Sequence, residues 1–379
     1  MTILEKGIKL INLITEYGYE AYIVGGAIRD HLLGLDVNDV DITSTMPMDE
    51  VKKHFDVVDN GSKYLSLTIN FLDSSFEITN FRKELLYINH RHPKVEYTLN
   101  LDDDLNRRDF TINALLLDKN NNIIDKFDGL KDLKEKRIKT IGNPNKRFND
   151  DALRILRGLY LYAKLDFEFD NETNKAIISS KELLKELSNE RLYEYFLKLV
   201  RVKNDKLLNY INNNDLFCFI KPYEKWLNVS KNDYSEYELV LAYFQKYKEY
   251  PPQINKDEKK RIVAYQDIID NNFDKMVLYK YYKNKDELLF IFKFMGYDEL
   301  KINNLFDSLI IKNDKELALT KKEISDLISP ENRSIVINNV IKEILNNNLN
   351  NNKEEIKEYV LRMKIWKKRY LLILIHLMK

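Results

Sequence analysis

Two aspartates one residue apart, Asp39 and Asp41 in the sequence DVD, have the spacing that points most directly to chemistry. In an extended segment, residues i and i+2 point to the same side, so the two carboxylates would lie together. Their mutual repulsion is relieved when a cation lies between them. Mg²⁺ takes a few carboxylate oxygens and fills its octahedron with phosphate oxygens and water. Two-metal phosphoryl transfer requires this arrangement. A solvated acidic turn is the alternative, and the segment just upstream favours the metal site.

A phosphate-binding feature comes just before these aspartates. The apolar run AYIV ends at Gly25 and Gly26, and AIRDHLLG then begins a helix whose first N–H groups are free. The glycines allow positive φ and let a ligand approach the backbone. Arg29, about one turn into the helix, can add a guanidinium to the same phosphate. The segment predicts a phosphate cradle, and a simple tight turn is the alternative for the two glycines.

Two further segments supply candidate ligands. The strand FEITNF offers Glu77 as a third carboxylate for the metals, or alternatively as a half-exposed strand residue. The segment NRRDFTINALLLD places Arg107, Arg108 and Asp109 at the entrance to a helix or strand. We expect one of these arginines to bind a phosphate or a sugar; an ion pair between Arg108 and Asp109 is the alternative.

The elements that must position these residues change along the chain. Nine of the ten glycines fall within the first 158 residues, where short β-prone runs (AYIVGG, SLTINFL, FEITNF, KVEYTLNL and INALLLD) alternate with helical stretches. This pattern predicts a small α+β domain. From about residue 147 onward, long amphipathic helices such as DDALRILRGLYLYAKL and NERLYEYFLKLVRV follow. With 379 residues and 44% hydrophobic positions, the chain can form two or more cores.

Charge and cysteine content bound the class of protein. Lys and Arg (61) nearly cancel Asp and Glu (60), so nucleic-acid binding would need a local patch. The single cysteine, Cys218 in the apolar run DLFCFI, is expected to be a small core residue, and a reducing cytoplasm fits. We expect neither a signal peptide nor a membrane span, because the amphipathic first helix is interrupted by charges and the apolar run YLLILIHLM is too short.

The order of motifs GGAIRD, DVDI, FEITNFR, RRDFTINAL, DGLKDL, RFNDDALRILR and ERLYEYFLKL, over about residues 22–200, resembles the CCA-adding tRNA nucleotidyltransferases of the bacterial and eukaryotic class. These belong to the superfamily that includes DNA polymerase β. The resemblance implies a catalytic head (1–140), a helical neck that reads the base (141–200), a helical body (201–300) and a tail that binds tRNA (301–379). It implies addition of CCA to tRNA from CTP and ATP without a template, by Mg²⁺-dependent transfer that releases pyrophosphate.

The resemblance also implies site residues. Gly25, Gly26 and Arg29 would surround the triphosphate, Asp39 and Asp41 would bind Mg²⁺, and Arg108 matches a nucleotide-contacting arginine. The neck motif DDALRILR would supply the base-reading residues.

On a helix, Asp151 and Arg154 lie three apart on one face, and Arg157 continues that face. A carboxylate accepts from the exocyclic amino group of C or A, and a guanidinium donates to the adjacent ring nitrogen. On UTP and GTP the corresponding edge carries a carbonyl and a ring N–H, so each mismatch leaves groups unpaired. The alternative is a surface salt-bridge ladder. The chain has Asp150 where the family usually has a glutamate, and this shorter carboxylate is expected to brace Arg154. It has Tyr160 where many members have a further arginine.

The segment RKELLYINHRHPKVEY resembles the flexible loop of CCA-adding and A-adding members, which CC-adding members commonly lack. Full CCA addition is therefore favoured over CC addition, and A addition stays open. We expect Arg82, Glu84, Tyr87 and Arg91 of this loop to help switch from C to A; a plain solvent loop is the alternative. His90 and His92 could bind a metal ion, but no other clustered ligand accompanies them, so a loop near phosphates or solvent is the commoner role for such histidines.

Three alternative functions remain. A bacterial poly(A) polymerase would be expected to have a longer and more basic C-terminal region. A catalytically dead RNA-binding or nucleotide-binding module is disfavoured by the intact Asp39, Asp41 and Arg29, and a metal-dependent phosphohydrolase would need His-Asp clusters in the helical half. In RMKIWKKRY, Trp366 and the surrounding cations form the best basic-aromatic candidate for binding tRNA. A solvated helix with a buried Trp is the alternative. The oligomeric state stays open.

Overall fold

The computed structural model describes residues 1–59, 65–88, 92–229 and 233–363. The chain divides into two units, Met1–Tyr234 and Ser235–Lys379. The first unit combines a mixed β-sheet with helices, and the described part of the second unit is helical. The predicted fold class, an α+β N-terminal part followed by helices, is therefore confirmed.

A seven-stranded sheet forms the frame of the first unit, in the spatial order β3-β4-β5-β2-β1-β8-β9. The pairing between β2 and β5 is parallel, and the other neighbouring pairs in this sheet are antiparallel. In chain order the strands are β1 (Ala21–Val24), β2 (Asp41–Ser44), β3 (Asp56–Asp59), β4 (Ser66–Phe71), β5 (Ser74–Asn80), β6 (Arg82–Ile88), β7 (His92–Tyr97), β8 (Leu116–Leu117), β9 (Ile123–Ile124), β10 (Arg137–Ile138) and β11 (Glu168–Phe169).

One face of this sheet is closed by the first helix. Alternate residues of β4 and β5, among them Ile69, Phe76 and Ile78, are buried, as the two-residue side-chain period of a strand requires. The helix approaches closely at Gly7, where an added Cβ would lie 3.0 Å from the side chains of Ile23 and Val40. Because the buried residues alternate with exposed ones, Glu77 of β5 is left exposed.

The helices of the first unit cover the rest of the sheet and continue into a helical region. The two long amphipathic helices predicted after residue 147 are present as α7 and α9, which pack against each other. The bounds are α1 (Ile3–Glu16), α2 (Gly26–Leu32), α3 (Met48–His54), α4 (Leu101–Asn106), α5 (Gly129–Lys134), α6 (Pro144–Asp150), α7 (Leu153–Leu165), α8 (Asn171–Ser179), α9 (Asn189–Val202), α10 (Asp205–Asn213) and α11 (Lys221–Glu224).

The second unit begins with a helix that carries a complete capping box, formed by Ser235 and Glu238. Its helices are α12 (Glu236–Tyr247), α13 (Lys256–Asp270), α14 (Lys275–Tyr281), α15 (Lys285–Phe294), α16 (Glu299–Asp307), α17 (Lys321–Asp326) and α18 (Arg333–Leu345), and residues 353–363 are also helical. Among the helices of the described ranges, none combines the length and the apolar content needed to cross a bilayer.

Two expectations are corrected here. The segment that follows Phe81, expected to be a loop, begins as strand β6, which pairs antiparallel with β7 in a separate hairpin. Its Lys and Glu residues hid the strand, because these types are depleted in sheets. Cys218, expected in the core, is exposed. The predictions for His90, Arg91 and residues 364–370 lie outside the described residues.

Candidate active site

A cavity of about 470 Å³ opens in the first unit beside the ends of β1 and β2. Segments from α2, the base of β6, residues 107–113, the junction of α6 and α7, and the start of α9 form its walls. Four carboxylates and seven arginines line it, so positive charge is in excess. The arginines are Arg29, Arg82, Arg107, Arg108, Arg154, Arg157 and Arg191.

The two glycines shape one wall of the cavity. Gly25 has φ +83°, a conformation that favours glycine, and it precedes the first residue of α2. A Cβ at Gly26 would lie 3.3 Å from Nη2 of Arg29, and a Cβ at Gly25 would lie 3.9 Å from Oδ2 of Asp41. The predicted phosphate cradle and the predicted metal carboxylate are thus immediate neighbours.

Arg29 is held in this wall by two partners. Its Nε donates to Oδ1 of Asp30 at 2.8 Å, and its Nη1 donates to Oδ1 of Asn113 at 2.5 Å. The arginine side chain is 6% exposed. Asp30 and Asn113 lie within the motifs GGAIRD and RRDFTINAL, but neither was predicted to hold Arg29.

The three predicted carboxylates lie near one another at the start of β2, an inner strand of the sheet. Asp41 begins β2 and stands directly opposite Glu77 in the parallel pairing with β5. Asp39 precedes the strand, with Val40 buried between two exposed aspartates, as the i, i+2 argument requires. The Asp41 residue reaches solvent, but the protein atoms packed around its carboxylate displace part of its hydration. This desolvation, followed by the negative charges of Glu77 and Asp39, raises the pKa of Asp41 to about 6, against a lowering effect of Arg108. The arrangement concentrates negative charge that Arg108 offsets only in part.

Arg108 lies in the cavity wall and pairs with Asp104, so the alternative ion pair with Asp109 does not form. Its Nη2 contacts Oδ2 of Asp104 at 3.0 Å, while Arg107 contacts the other oxygen of Asp104 at 2.7 Å. The spacings i, i+3 and i, i+4 from Asp104 are visible in the sequence and could have suggested this pairing. The Nε of Arg108 has no hydrogen-bond partner among the described residues. Burial and the charge of Arg107 lower the pKa of Arg108.

Asp109 is instead the partner of Arg157, one helical turn past Arg154 on α7. Nη1 of Arg157 lies 3.2 Å from Oδ2 of Asp109, and Nε donates to the hydroxyl of Tyr195 at 3.2 Å. Burial alone would raise the pKa of Asp109, but Arg157 and Arg154 hold it below its usual value. The carboxylate therefore stays charged and ties α7 to the segment after α4.

The expected helical face of Asp151 and Arg154 is wrong in one respect. Helix α6 ends at Asp150, and Asp151 is extended (φ −147°, ψ 103°), so it is not part of a helix. Its Oδ1 accepts from the backbone N–H of Leu153 at 3.0 Å, at the start of α7. Both Asp151 and Arg154 nevertheless line the cavity. The two residues therefore share the cavity wall without sharing a helix face, because Asp151 precedes α7 and Arg154 lies in its first turn.

Arg154 is almost fully buried, with 5% of its side chain exposed. It donates to the carbonyl oxygens of Arg107 at 3.0 Å and Arg147 at 3.2 Å. Glu84, at the base of the β6–β7 hairpin, lies 3.6 Å away and is its carboxylate partner. Asp150, expected to brace this arginine, lines a neighbouring cavity.

The residues fit a divalent metal in part. In the described ranges, no three carboxylate, imidazole or thiolate side chains converge closely enough to enclose an ion. Mg²⁺ is, however, commonly held by one or two carboxylates together with substrate phosphates. The crowded charge around Asp41, next to the glycine wall, suits that donor set.

Comparison with known proteins places these observations in a family. Residues 21–139 match the family described as "Poly A polymerase head domain", and residues 166–206 match "Probable RNA and SrmB- binding site of polymerase A". The CCA-adding enzyme of Ligilactobacillus salivarius is 33% identical over 89% of this chain and 94% of its own length. The chain belongs to the family of CCA-adding enzymes.

Other CCA-adding enzymes agree with this assignment. The protein of Streptococcus pyogenes serotype M2 is 34% identical over 83% of this chain and 85% of its own length. The structure of the Bacillus stearothermophilus CCA-adding enzyme in complex with CTP aligns with a TM-score of 0.69, covering 98% of this chain and all of that one, at 23% identity. This structural likeness shows a shared fold. Nucleotidyltransferases of this family typically use divalent metal ions.

Proposed function

We propose that this protein adds CCA to the 3′ end of tRNA from CTP and ATP, without a nucleic-acid template, and releases pyrophosphate. The observation that carries the proposal is a cavity in which Asp41, the carboxylate paired across the sheet with Glu77, adjoins the two glycines and an excess of arginines. Membership of the CCA-adding enzyme family supports the choice of substrates. Comparable enzymes have been solved with CTP, with ATP and with tRNA.

In this proposal Gly25, Gly26 and Arg29 bind the triphosphate, and Asp39 and Asp41 hold Mg²⁺ with Glu77 as a third carboxylate. When bound, the metal ions would activate the attacking hydroxyl and neutralise charge on the leaving pyrophosphate. The 3′ hydroxyl of the RNA attacks the α-phosphorus, a P–O bond forms, the bond to pyrophosphate breaks and the hydroxyl proton is released.

The arginines around Asp104 fit the leaving group. Arg107 and Arg108 share this one buried carboxylate, and Arg82 stands close enough for their charges to interact. Burial, followed by the charge of Arg107, lowers the pKa of Arg82 to about 10. Positive charge fixed before the reaction stabilises negative charge that develops during it. We therefore assign Arg108 to the nucleotide, with its neighbours supporting the pyrophosphate.

Base choice is assigned to Asp151 and Arg154, with Arg157 beside them. Oδ1 of Asp151 is used by the N–H of Leu153, which leaves Oδ2 to accept the exocyclic amino group of C or A. Arg154 offers N–H groups to the ring nitrogen. UTP and GTP would leave buried groups unpaired, at a cost of about 1–3 kcal/mol for each group.

The finer assignments follow the same reasoning. We propose the division into head (1–140), neck (141–200), body (201–300) and tail (301–379), and a cytoplasmic location. Full CCA addition is proposed over CC addition because the segment after Phe81 is present as the hairpin of β6 and β7.

The test is incubation with tRNAs that end before CCA, after C and after CC, with labelled CTP or ATP, followed by gels that resolve single nucleotides. We expect C, C and A to be added in order, and each product to stop at CCA. Extension of the CC-ending tRNA alone would indicate an A-adding enzyme. Continued addition of A to any RNA would indicate a poly(A) polymerase, and no extension would overturn the proposal.

A further inference from the structure

Arg29 is oriented mainly by its neighbour in the chain. Both its Nε and its Nη2 contact Oδ1 of Asp30, at 2.8 and 2.7 Å. Side chains at positions i and i+1 of a helix normally point away from each other, and both residues belong to α2. An ion pair between them therefore needs the carboxylate to be held in place from outside the helix.

Lys164 provides that hold. Its Nζ donates to Oδ2 of Asp30 at 2.9 Å, so the two oxygens of Asp30 are divided between Lys164 and Arg29. The Asp30 side chain is 10% exposed and Lys164 is 30% exposed. Removing one charged partner of a buried carboxylate is strongly destabilising, because the remaining charge is left uncompensated. The position of the Asp30 carboxylate should therefore depend on Lys164.

Lys164 also connects two parts of the proposed site. It stands in the last turn of α7, the helix whose first turn carries Arg154. The ring of Tyr160, one turn earlier, lies 5.9 Å from its ammonium group, at a distance suited to a cation–π contact. Lys164 thus belongs to the helix that carries Arg154 and, through Asp30, reaches the cavity wall that contains Arg29.

We propose that Lys164 is a positioning residue for nucleotide binding: through Asp30 it holds the guanidinium of Arg29 in the orientation that meets the triphosphate. The inference rests on the proposed function of Arg29. If the Arg29 side chain is already ordered before the nucleotide binds, no conformational entropy is lost in ordering it on binding, and the affinity is higher. Loss of Lys164 should therefore weaken contacts to the phosphates and leave contacts to the base unchanged.

The experiment measures binding of CTP and CMP to the full chain by calorimetry, in Mg²⁺. Lys164→Met should raise the Kd for CTP about tenfold, which corresponds to about 1.4 kcal/mol, and leave the Kd for CMP within about twofold. Lys164→Arg, which keeps a cation near Asp30, should restore most of the CTP affinity. Equal weakening of CTP and CMP by Lys164→Met would show a general structural role and overturn the proposal.

Lys206 supplies a matched control. It is 25% exposed, lies 3.0 Å from Asp166 and 2.9 Å from Glu168, and stands 4.4 Å from the ring of Tyr162. Like Lys164, it pairs with carboxylates beside a tyrosine ring, but these carboxylates are 78% and 71% exposed and do not lead to Arg29. Lys206→Met should lower thermal stability less than Lys164→Met, because its carboxylates stay hydrated, and should leave CTP affinity unchanged. A loss of CTP affinity as large as that of Lys164→Met would refute the specific role of Lys164.

Arg29→Gln separates this inference from the proposed function. If Arg29 binds the triphosphate, this variant should weaken CTP but not CMP, and adding Lys164→Met should bring no further loss. An Arg29→Gln variant that binds CTP normally would overturn the phosphate role of Arg29 itself. If Arg29→Gln weakens CTP but Lys164→Met does not, or if the two losses add, the phosphate role stands and the positioning role of Lys164 fails.

Discussion

Glu84 offers a sharp test of how base choice is maintained. Its carboxylate lies 3.6 Å from Nη2 of Arg154, and the two side chains are 11% and 5% exposed. A β-bulge follows it between Glu84 and Leu86 in the pairing with β7. Bulges beside active sites commonly re-aim a side chain. We expect Glu84→Gln to keep the hairpin but to loosen Arg154, the proposed base-reading arginine.

The size of the effect follows from this distance. At 3.6 Å and an effective dielectric constant of about 20, the attraction between the two charges is about 5 kcal/mol. Arg154 keeps its bonds to the carbonyls of Arg107 and Arg147, and the glutamine still offers a carbonyl, so most of this attraction is replaced. We expect a net loss of about 1.5 kcal/mol, the lower end of the range measured for hydrogen bonds to charged groups. Discrimination of CTP from UTP should then fall about tenfold.

The assay compares kcat/KM for CTP, ATP, UTP and GTP on tRNAs that end before CCA and after CC. Glu96→Gln is the control, because Glu96 stands on β7 of the same hairpin and pairs with Lys83 at 3.1 Å, with both side chains well exposed. Breaking an exposed pair should cost little. Unchanged discrimination in Glu84→Gln would refute the reasoning, and equal losses in both variants would point to a general effect on the hairpin.

Three other predictions follow from the site. Replacing Asp39 or Asp41 with Ala should abolish nucleotide addition in Mg²⁺ while tRNA binding, measured by filter retention, stays largely intact; near-normal turnover in either variant would exclude the metal assignment. Asp151→Ala or Arg154→Ala should lower both rate and discrimination against UTP and GTP; incorporation of only C and A at normal ratios would exclude these two residues as the base readers. Shortening residues 83–92 to a Gly-Ser link should spare CC addition and cripple the final A; undiminished A addition would remove this segment from the mechanism.

The carboxylate site shows how far the sequence argument reaches. The spacing of Asp39 and Asp41 alone predicted that both would face one side, and the structure agrees because Val40 between them is buried. The sequence could not show that Glu77 stands opposite Asp41, because this contact depends on the parallel pairing of β2 with β5. Long-range register of this kind is set by tertiary packing and leaves no local pattern.

The base-reading segment shows where the argument failed. The spacing of Asp151 and Arg154 predicts a shared helical face, but one helix ends at Asp150 and the next begins at Leu153. Asp151 accepts a bond from the N–H of Leu153, which is the behaviour of a residue near a helix N-terminus. An aspartate before an apolar periodic run is a known start signal. That signal was present in DDALRILR and outweighs the periodicity.

The phosphate-binding and base-reading parts of the proposed site are joined by a continuous series of side-chain contacts that leaves α7 and returns to it. From Lys164 the contacts pass to Asp30, Arg29, Asn113, Asp109 and Arg157, with distances of 2.9, 2.8, 2.5, 3.3 and 3.2 Å. The two ends of the series are two turns apart on one helix. An enzyme that selects nucleotides without a template must present both the phosphate donors and the base-pairing groups in fixed relation, because protein side chains alone define the complementary edge. Because α7 carries both Lys164 and Arg157, a shift of this helix would move the phosphate contacts and the base contacts together.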